Sequence, residues 1–335
     1  MWQTGVTTAS DLIEVQAIVP NEAHGSSNQL PVTQGFSSQD DAAWAGLMYL
    51  KVQQYNDAHG TSESGKLPDP FYYHEALAIQ QGLAKTWLAS SGCGGGVPQK
   101  TDGTGPNTIT THLYFSLSVA LAQYNTSDTT LRQNAQQAAD WYTKGAGTTL
   151  RNAAGLWVDG QNAACNGPNN NLWTYNQGTI LSGMGAMATL TGDQSYIDFA
   201  LKTLDAVVNV GTASGPLPQS TTDKHLEVVG GILAEGCDGA AASAPSICDH
   251  DQQYFKGAFM KHLQYFLDNA NNTVRDKYAA FVGAQASAVI HFGTRADGEI
   301  GEVWFAPDAG GSTYNYKTLT AGLDALNCAQ KYAVC

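Results

Sequence analysis

Gln39-Asp40-Asp41-Ala42-Ala43-Trp44-Ala45-Gly46-Leu47-Met48-Tyr49-Leu50 sets two carboxylates side by side where a Gly/Ser-rich loop, Gln34-Gly35-Phe36-Ser37-Ser38, gives way to a helical pattern. Trp44, Leu47, Met48 and Leu50 recur at roughly helical spacing. One Asp is explained as a helix start, where free N–H groups and the helix dipole favour negative charge. The second is harder to explain that way. Adjacent carboxylates repel, and one of them tends to keep a proton. A proton donor beside an ionised carboxylate is what glycoside hydrolysis requires. Acidic pairs in first turns are common, so the plain capping reading stands beside the catalytic one.

Outward from this stretch, the chain has 335 residues, enough for one large domain or two. Lys and Arg number 16 against 29 Asp and Glu, a net charge of −13. That excludes a basic nucleic-acid footprint and an attraction to anionic membranes. Only 13% of residues are charged, against a usual ~25%. A weakly charged, hydroxyl- and amide-rich surface suits a neutral glycan, and equally an ordinary acidic secreted protein. No apolar run reaches the ~18 residues of a membrane span. Met1-Trp2-Gln3-Thr4-Gly5 lacks the basic and apolar regions of a leader. Six cysteines (Cys93, Cys165, Cys237, Cys248, Cys328, Cys335) and the sequons at Asn125 and Asn271 fit an oxidising compartment. The expectation is a secreted monomer whose leader is absent from this chain.

Helical patterns run over Trp2–Ala17, from the Asp pair to about Tyr55, and over Phe71–Leu88, Asn107–Tyr124 and Thr129–Lys144. They continue from Tyr175 to Leu190, Tyr196 to Val208, Asp251 to Leu267, Thr273 to Ile290 and Tyr314 to Tyr332, with a weaker one over Lys224–Glu235. Leu156–Gly160 reads as a short extended piece and Pro168–Asn171 as loop. The helices come in consecutive pairs without a short repeat. Gly178, Ser182, Gly183, Gly185 and Ala186 give one of them a small, close-packing face. An all-α toroid of helical hairpins fits best, with a plain helical bundle as the alternative.

Tyr175, Asn176 and Gln177 stand at a helix start, where amides and a phenol either grip sugar hydroxyls or cap and pack. Trp44 and Trp173 read as pyranose-stacking platforms or as buried tryptophans. Asp251 either binds sugar or holds Lys256. Cys237 with Cys248-Asp249-His250-Asp251 invites a metal reading, but lacks paired Cys-x-x-Cys spacing. A Cys237–Cys248 disulfide closing a small loop is the better reading, and no cofactor or metal is expected. Cys328–Cys335 and Cys93–Cys165 complete the expected pairing. Gly94-Gly95-Gly96 lacks the Lys-Ser/Thr of a phosphate loop and reads as a turn.

Asp40-Asp41-x-x-Trp44, Cys93-Gly94-Gly95-Gly96, Trp173-Thr174-Tyr175-Asn176-Gln177-Gly178 and Asp251-x-x-x-Phe255-Lys256-Gly257 stand in this order. Together they resemble glycoside hydrolase family 76 over nearly the whole chain. The resemblance implies an (α/α)6 barrel and a retaining mechanism, with Asp40 as nucleophile and Asp41 as acid/base. It implies a substrate of α-1,6-linked mannan or mannooligosaccharide. The candidate binding set is Trp44, Asn107, Trp173, Tyr175, Asn176, Gln177, Asp251 and Lys256. Departures are Ala45 in place of a second aromatic, Thr110-Thr111-His112 in place of a usual Asn, and Lys261 in place of Arg. An extra family helix ahead of the one ending at Ala17 is missing, so residues 1–335 read as one catalytic domain trimmed by its first helix. The leading expectation is an endo-acting α-1,6-mannanase of the fungal cell-wall type. The alternatives are a transglycosidase acting on mannose-containing wall anchors and a non-catalytic glycan-binding toroid.

Overall fold

The computed structural model describes residues 36, 38–59, 70–209, 226–239, 245–305 and 311–333. The expected helix Trp2–Ala17, most of the loop before the Asp pair, and Cys335 with its expected bond to Cys328 lie outside these. The chain divides into two compact units, one taking in Leu150–Asp159 and Asn169–Cys335, the other Trp2–Thr149 and Gly160–Pro168.

The second of these units holds α1 (Gln39–His59), α2 (Phe71–Lys85), α3 (Thr108–Tyr124) and α4 (Thr129–Thr143). α3 is buried almost all round, from Thr108 to Ala122, as a helix apolar on every side must be. α4 buries a single stripe of Leu131, Ala135, Ala138, Ala139, Trp141 and Tyr142. α1 packs on α3 with Gly46 at the contact: a Cβ there would meet Leu117 at 2.7 Å.

The other unit repeats the alternation. α5 (Thr174–Thr191) and α7 (Phe255–Asn269) are buried on most sides. α6 (Ser195–Asn209) and α8 (Asn272–Ala288) bury one face. α9 (Tyr316–Tyr332) packs on α7 and α8. Small residues permit the close approaches. A Cβ on Gly178 would meet the Phe259 backbone at 2.6 Å, and one on Gly257 would meet that of Ala321 at 2.4 Å. The all-α expectation holds.

Two short segments differ from the sequence reading. Lys224–Glu235 is no helix: Leu226–Val229 (β3) pairs antiparallel with Ile232–Glu235 (β4) in the register Leu226↔Glu235 and Val229↔Ile232. Gly230 and Gly231, at φ 58° and 90°, make the two-residue turn that demands positive φ. Pro168–Leu172 (β2) pairs with Val158–Gln161 (β1) instead of forming a loop.

Candidate active site

Asp40 and Asp41 occupy the first turn of α1. Asp40 is half-buried and Asp41 exposed. Ser38 Oγ donates to Asp41 Oδ2 at 2.8 Å. The residue that fixes this turn is Gln39, which is 2% exposed. Its backbone N–H donates to Gln99 O at 2.8 Å. Its Nε2 donates to Pro98 O at 2.7 Å, and its Oε1 accepts from Thr86 Oγ1 at 2.9 Å. A buried amide with both ends satisfied holds the helix start more firmly than an exposed cap.

The strap that receives Gln39 comes from the glycine loop. Gly94, Gly95 and Gly96 all have positive φ, and a Cβ on Gly95 would lie 2.5 Å from Trp87 and 2.8 Å from Trp141. Trp141 Nε1 donates to Cys93 O at 2.8 Å, and Cys93 is disulfide-bonded to Cys165. Downstream, Thr111 Oγ1 accepts from Val97 N at 2.9 Å, and Asn107 N donates to Val97 O at 3.0 Å. The starts of α1 and α3 therefore hang on one strap, Val97–Gln99. Asn107 caps α3, its Oδ1 accepting from Thr110 N at 3.1 Å and Thr110 Oγ1 at 2.7 Å; that oxygen serves the helix rather than a sugar. Trp44 is half-buried one turn beyond the aspartates.

In the other unit, Gln177 has a structural task in place of the expected binding one. Its Nε2 donates to Trp157 O at 2.9 Å and Trp173 O at 3.0 Å, and its Oε1 accepts from Trp157 N at 2.8 Å. The amide thereby pairs with Trp157 as a strand neighbour would. Trp173 is 4% exposed and packs with the Cys237–Cys248 disulfide, Tyr175 and Phe255. Its ring faces are taken by the core, so it offers no pyranose platform. Tyr175 is half-buried and stacks on Phe255 with centroids 3.8 Å apart. Asn176 is buried, and its Nδ2 donates to Asp159 Oδ1 at 3.2 Å. Asn169 Nδ2 donates to Asp159 Oδ2 at 3.1 Å, so one carboxylate orients two amides.

Asp251 does not hold Lys256. Its carboxylate pairs with Lys317 at 2.7 Å and is 82% exposed. Lys256 is 1% exposed and pairs with Asp238, both contacts at 2.7 Å, which removes it from the sugar-binding set. Around this pair lie Glu235, Glu302 and, 5.6 Å from Lys256 Nζ, the Trp304 ring. Glu235 receives the Thr174 N–H at 3.2 Å and the Thr174 hydroxyl, so a buried carboxyl caps α5. Burial pushes Glu235 up to about 8 and Glu302 up to about 7, against the pull of the Lys256 charge. Burial likewise lifts Asp238 despite the lysine. For Lys256, burial acts downward, but Asp238, Glu302 and Glu235 together carry it above its ordinary value. Lys261, standing where Arg was expected, donates to Tyr254 OH at 3.0 Å.

Gln39, Asp159, Glu235, Asp238 and Glu302 shape these surroundings without being site candidates in the sequence, and Thr111 enters there only as a departure from the family pattern. Only Asp159 carries a signal, in the extended Trp157-Val158-Asp159-Gly160. Cys237, Asp238 and Cys248 cluster closely, but the disulfide occupies both sulfurs.

A family model for glycosyl hydrolase family 76 matches residues 1–334. A provisionally named mannan endo-1,6-alpha-mannosidase of Schizosaccharomyces pombe is 24% identical over 309 residues, covering 90% of this chain. The chain spans 64% of that relative's length. An α-1,6-mannanase from Salegentibacter sp. HEL1_6 superposes with a TM-score of 0.67 at 20% identity, over 88% of this chain and 76% of that one. An inactive variant of the same enzyme, with two consecutive aspartates changed to asparagine, was solved with α-1,6-mannotriose. Dfg5 from Chaetomium thermophilum, in complex with glucosamine, superposes with a TM-score of 0.68 at 19% identity, over 89% and 69%. The fold is the α/α barrel of these enzymes.

Proposed function

Because the chain belongs to glycosyl hydrolase family 76, we propose that it cleaves α-1,6-mannosidic linkages inside mannan by a retaining double displacement on Asp40 and Asp41. The observation that carries this reading is the carboxylate pair in the first turn of α1, held from beneath by the buried Gln39. Its support from outside is the Salegentibacter mannanase variant, inactive when two consecutive aspartates lose their charge.

Retaining enzymes place their carboxyl groups ~5–5.5 Å apart, and inverting ones ~6.5–9.5 Å. Chain neighbours at a helix start suit the shorter span. Asp40 attacks the anomeric carbon while Asp41 delivers a proton to the departing oxygen. A covalent β-glycosyl ester results. Asp41 then takes a proton from water, which attacks the same carbon and restores the α configuration. Trp44, one turn beyond the pair on α1, is the sugar-contacting residue of this reading. Incubation with linear α-1,6-mannan should release oligosaccharides separable by chromatography, and Asp40→Asn should abolish them. No product from mannan or from cell-wall glycan would sink the reading.

A transfer reaction is the second reading, and the likeness to Dfg5 with its bound glucosamine favours it. It uses the same aspartates, with an acceptor sugar replacing water at the ester. The ratio of transfer to hydrolysis at rising acceptor concentration separates the two. A ratio near zero at high acceptor leaves hydrolysis alone.

A further inference from the structure

Among the described residues, Ile247, Ile290, Phe292, Tyr316 and Leu319 are the large apolar side chains left exposed, and Tyr316 is the most open at 65%. It is the first residue of α9. Asn315 caps that helix and donates its Nδ2 to Gln253 Oε1 at 2.7 Å. Gln253 lies in the short turn that leads into α7. The His250 ring stands edge-on to the Tyr316 ring, with centroids 5.7 Å apart at 63°. Beside them Lys317 Nζ donates to Asp251 Oδ1 at 2.7 Å.

Tyr316 adds nothing to the core, and its ring keeps apolar surface in water. A tyrosine so placed is an amphipathic anchor, with an apolar face and a polar tip. Here the ring is braced by His250 and flanked by an accessible carboxylate and an ammonium. That combination matches a pyranose, whose C–H face lies on an aromatic ring while its hydroxyls meet donors and acceptors. A polyanion is disfavoured by the net charge of −13 and by the pairing of Lys317 with Asp251.

The starts of α5, α7 and α9 are also linked in series. Glu235 caps Thr174, its near neighbour Asp238 holds Lys256, and Gln253 receives Asn315. Tyr316 therefore stands at the same helix-start end of its unit as Tyr175 and Asn176. The geometry points to a glycan-binding subsite on Tyr316, His250, Asp251 and Lys317 that holds a neutral hexose chain and performs no chemistry. The choice of mannan as its ligand rests on the function proposed above.

The test compares Tyr316→Ala and Tyr316→Trp with the parent protein on linear α-1,6-mannan and on α-1,6-mannotriose. Tyr316→Ala should raise KM for mannan about tenfold, the size of one aromatic contact, with kcat unchanged. Its kcat/KM for mannotriose should stay at the parent value, and Tyr316→Trp should restore the mannan KM. In gels cast with mannan, Tyr316→Ala should migrate less retarded than the parent. An unchanged mannan KM, an equal loss on mannotriose, or a Trp variant as poor as the Ala one overturns the subsite while leaving the substrate reading intact. A parent protein that neither cleaves mannan nor is retarded by it overturns the substrate reading, and the subsite's ligand with it.

Discussion

Asp40 and Asp41 are chain neighbours with different surroundings: Asp40 is half-buried, while Asp41 is exposed and takes the Ser38 hydroxyl. If their roles are nucleophile and acid/base, single substitutions separate them. Asp40→Ala should abolish turnover of every substrate, since no glycosyl ester forms. Asp41→Ala should lower mannan cleavage about 10²–10⁴-fold, the usual share of acid–base catalysis. A dinitrophenyl mannobioside needs little protonation to leave, so its first step should survive that change. Azide should then rescue the second step and give an α-azide. Rescue of Asp40→Ala instead, or a β-azide, reverses the roles or removes retention. The place of the pair at a helix start was legible because acids are favoured in a first turn. Gln177 and Lys256 were misread for a common reason. An amide or ammonium beside aromatic residues looks the same in sequence whether it faces a sugar or a buried partner. Only the fold brings Trp157 to Gln177 and Asp238 to Lys256.

At the scale of elements, α1 and α5 both begin on buried side-chain latches, and each latch is backed by a disulfide. Cys93–Cys165 closes a separation of 72 residues and Cys237–Cys248 one of 11. Loop-closure entropy assigns about 4 kcal/mol to the longer link and about 3 kcal/mol to the shorter. Paired Cys→Ser changes should therefore lower urea stability in that order. The Cys93/Cys165 pair should also lower kcat, because its loop leads into the Val97–Gln99 strap beneath Asp40 and Asp41. Equal kcat in both double variants would remove the strap from the function. The helices were legible from their apolar spacing, and in the structure Asp128, Asn271 and Asn315 cap three of them. The β3–β4 hairpin was not. Leu226, Val229 and Leu233 fall at helical spacing, and that pattern hides the two-residue Gly230-Gly231 turn that decides for strands.

The whole molecule carries a net charge of −13, and part of its acid complement is buried in one place. Glu235, Asp238 and Glu302 face a single ammonium, that of Lys256, while Thr174 and Ser246 supply hydroxyls. Full ionisation would bury three negative charges against one positive, an arrangement a low-dielectric interior resists. The Asp238–Lys256 ion pair with Glu235 and Glu302 protonated is neutral. Both glutamates are held above the ordinary carboxylate range, Glu302 at about 7 and Glu235 at about 8. Between roughly pH 4.5 and those values the folded chain binds protons that the unfolded chain has lost, so stability falls as pH rises through this window. Asp205 acts with the opposite sign. Burial would lift it, but hydrogen bonds from Lys277 and Tyr278 and the lysine charge hold it below its ordinary value. Its contribution is present above the unfolded pKa and is lost only under stronger acid, so it does not offset the glutamates near neutrality. Melts across about pH 5 to 8 should show Tm declining with pH. Glu235→Gln keeps an oxygen for Thr174 and removes one titration, so its decline should be shallower, and Glu235→Gln with Glu302→Gln should be nearly flat. A parent Tm that is level or rises over that range would mean that the cluster does not hold its protons in the folded state.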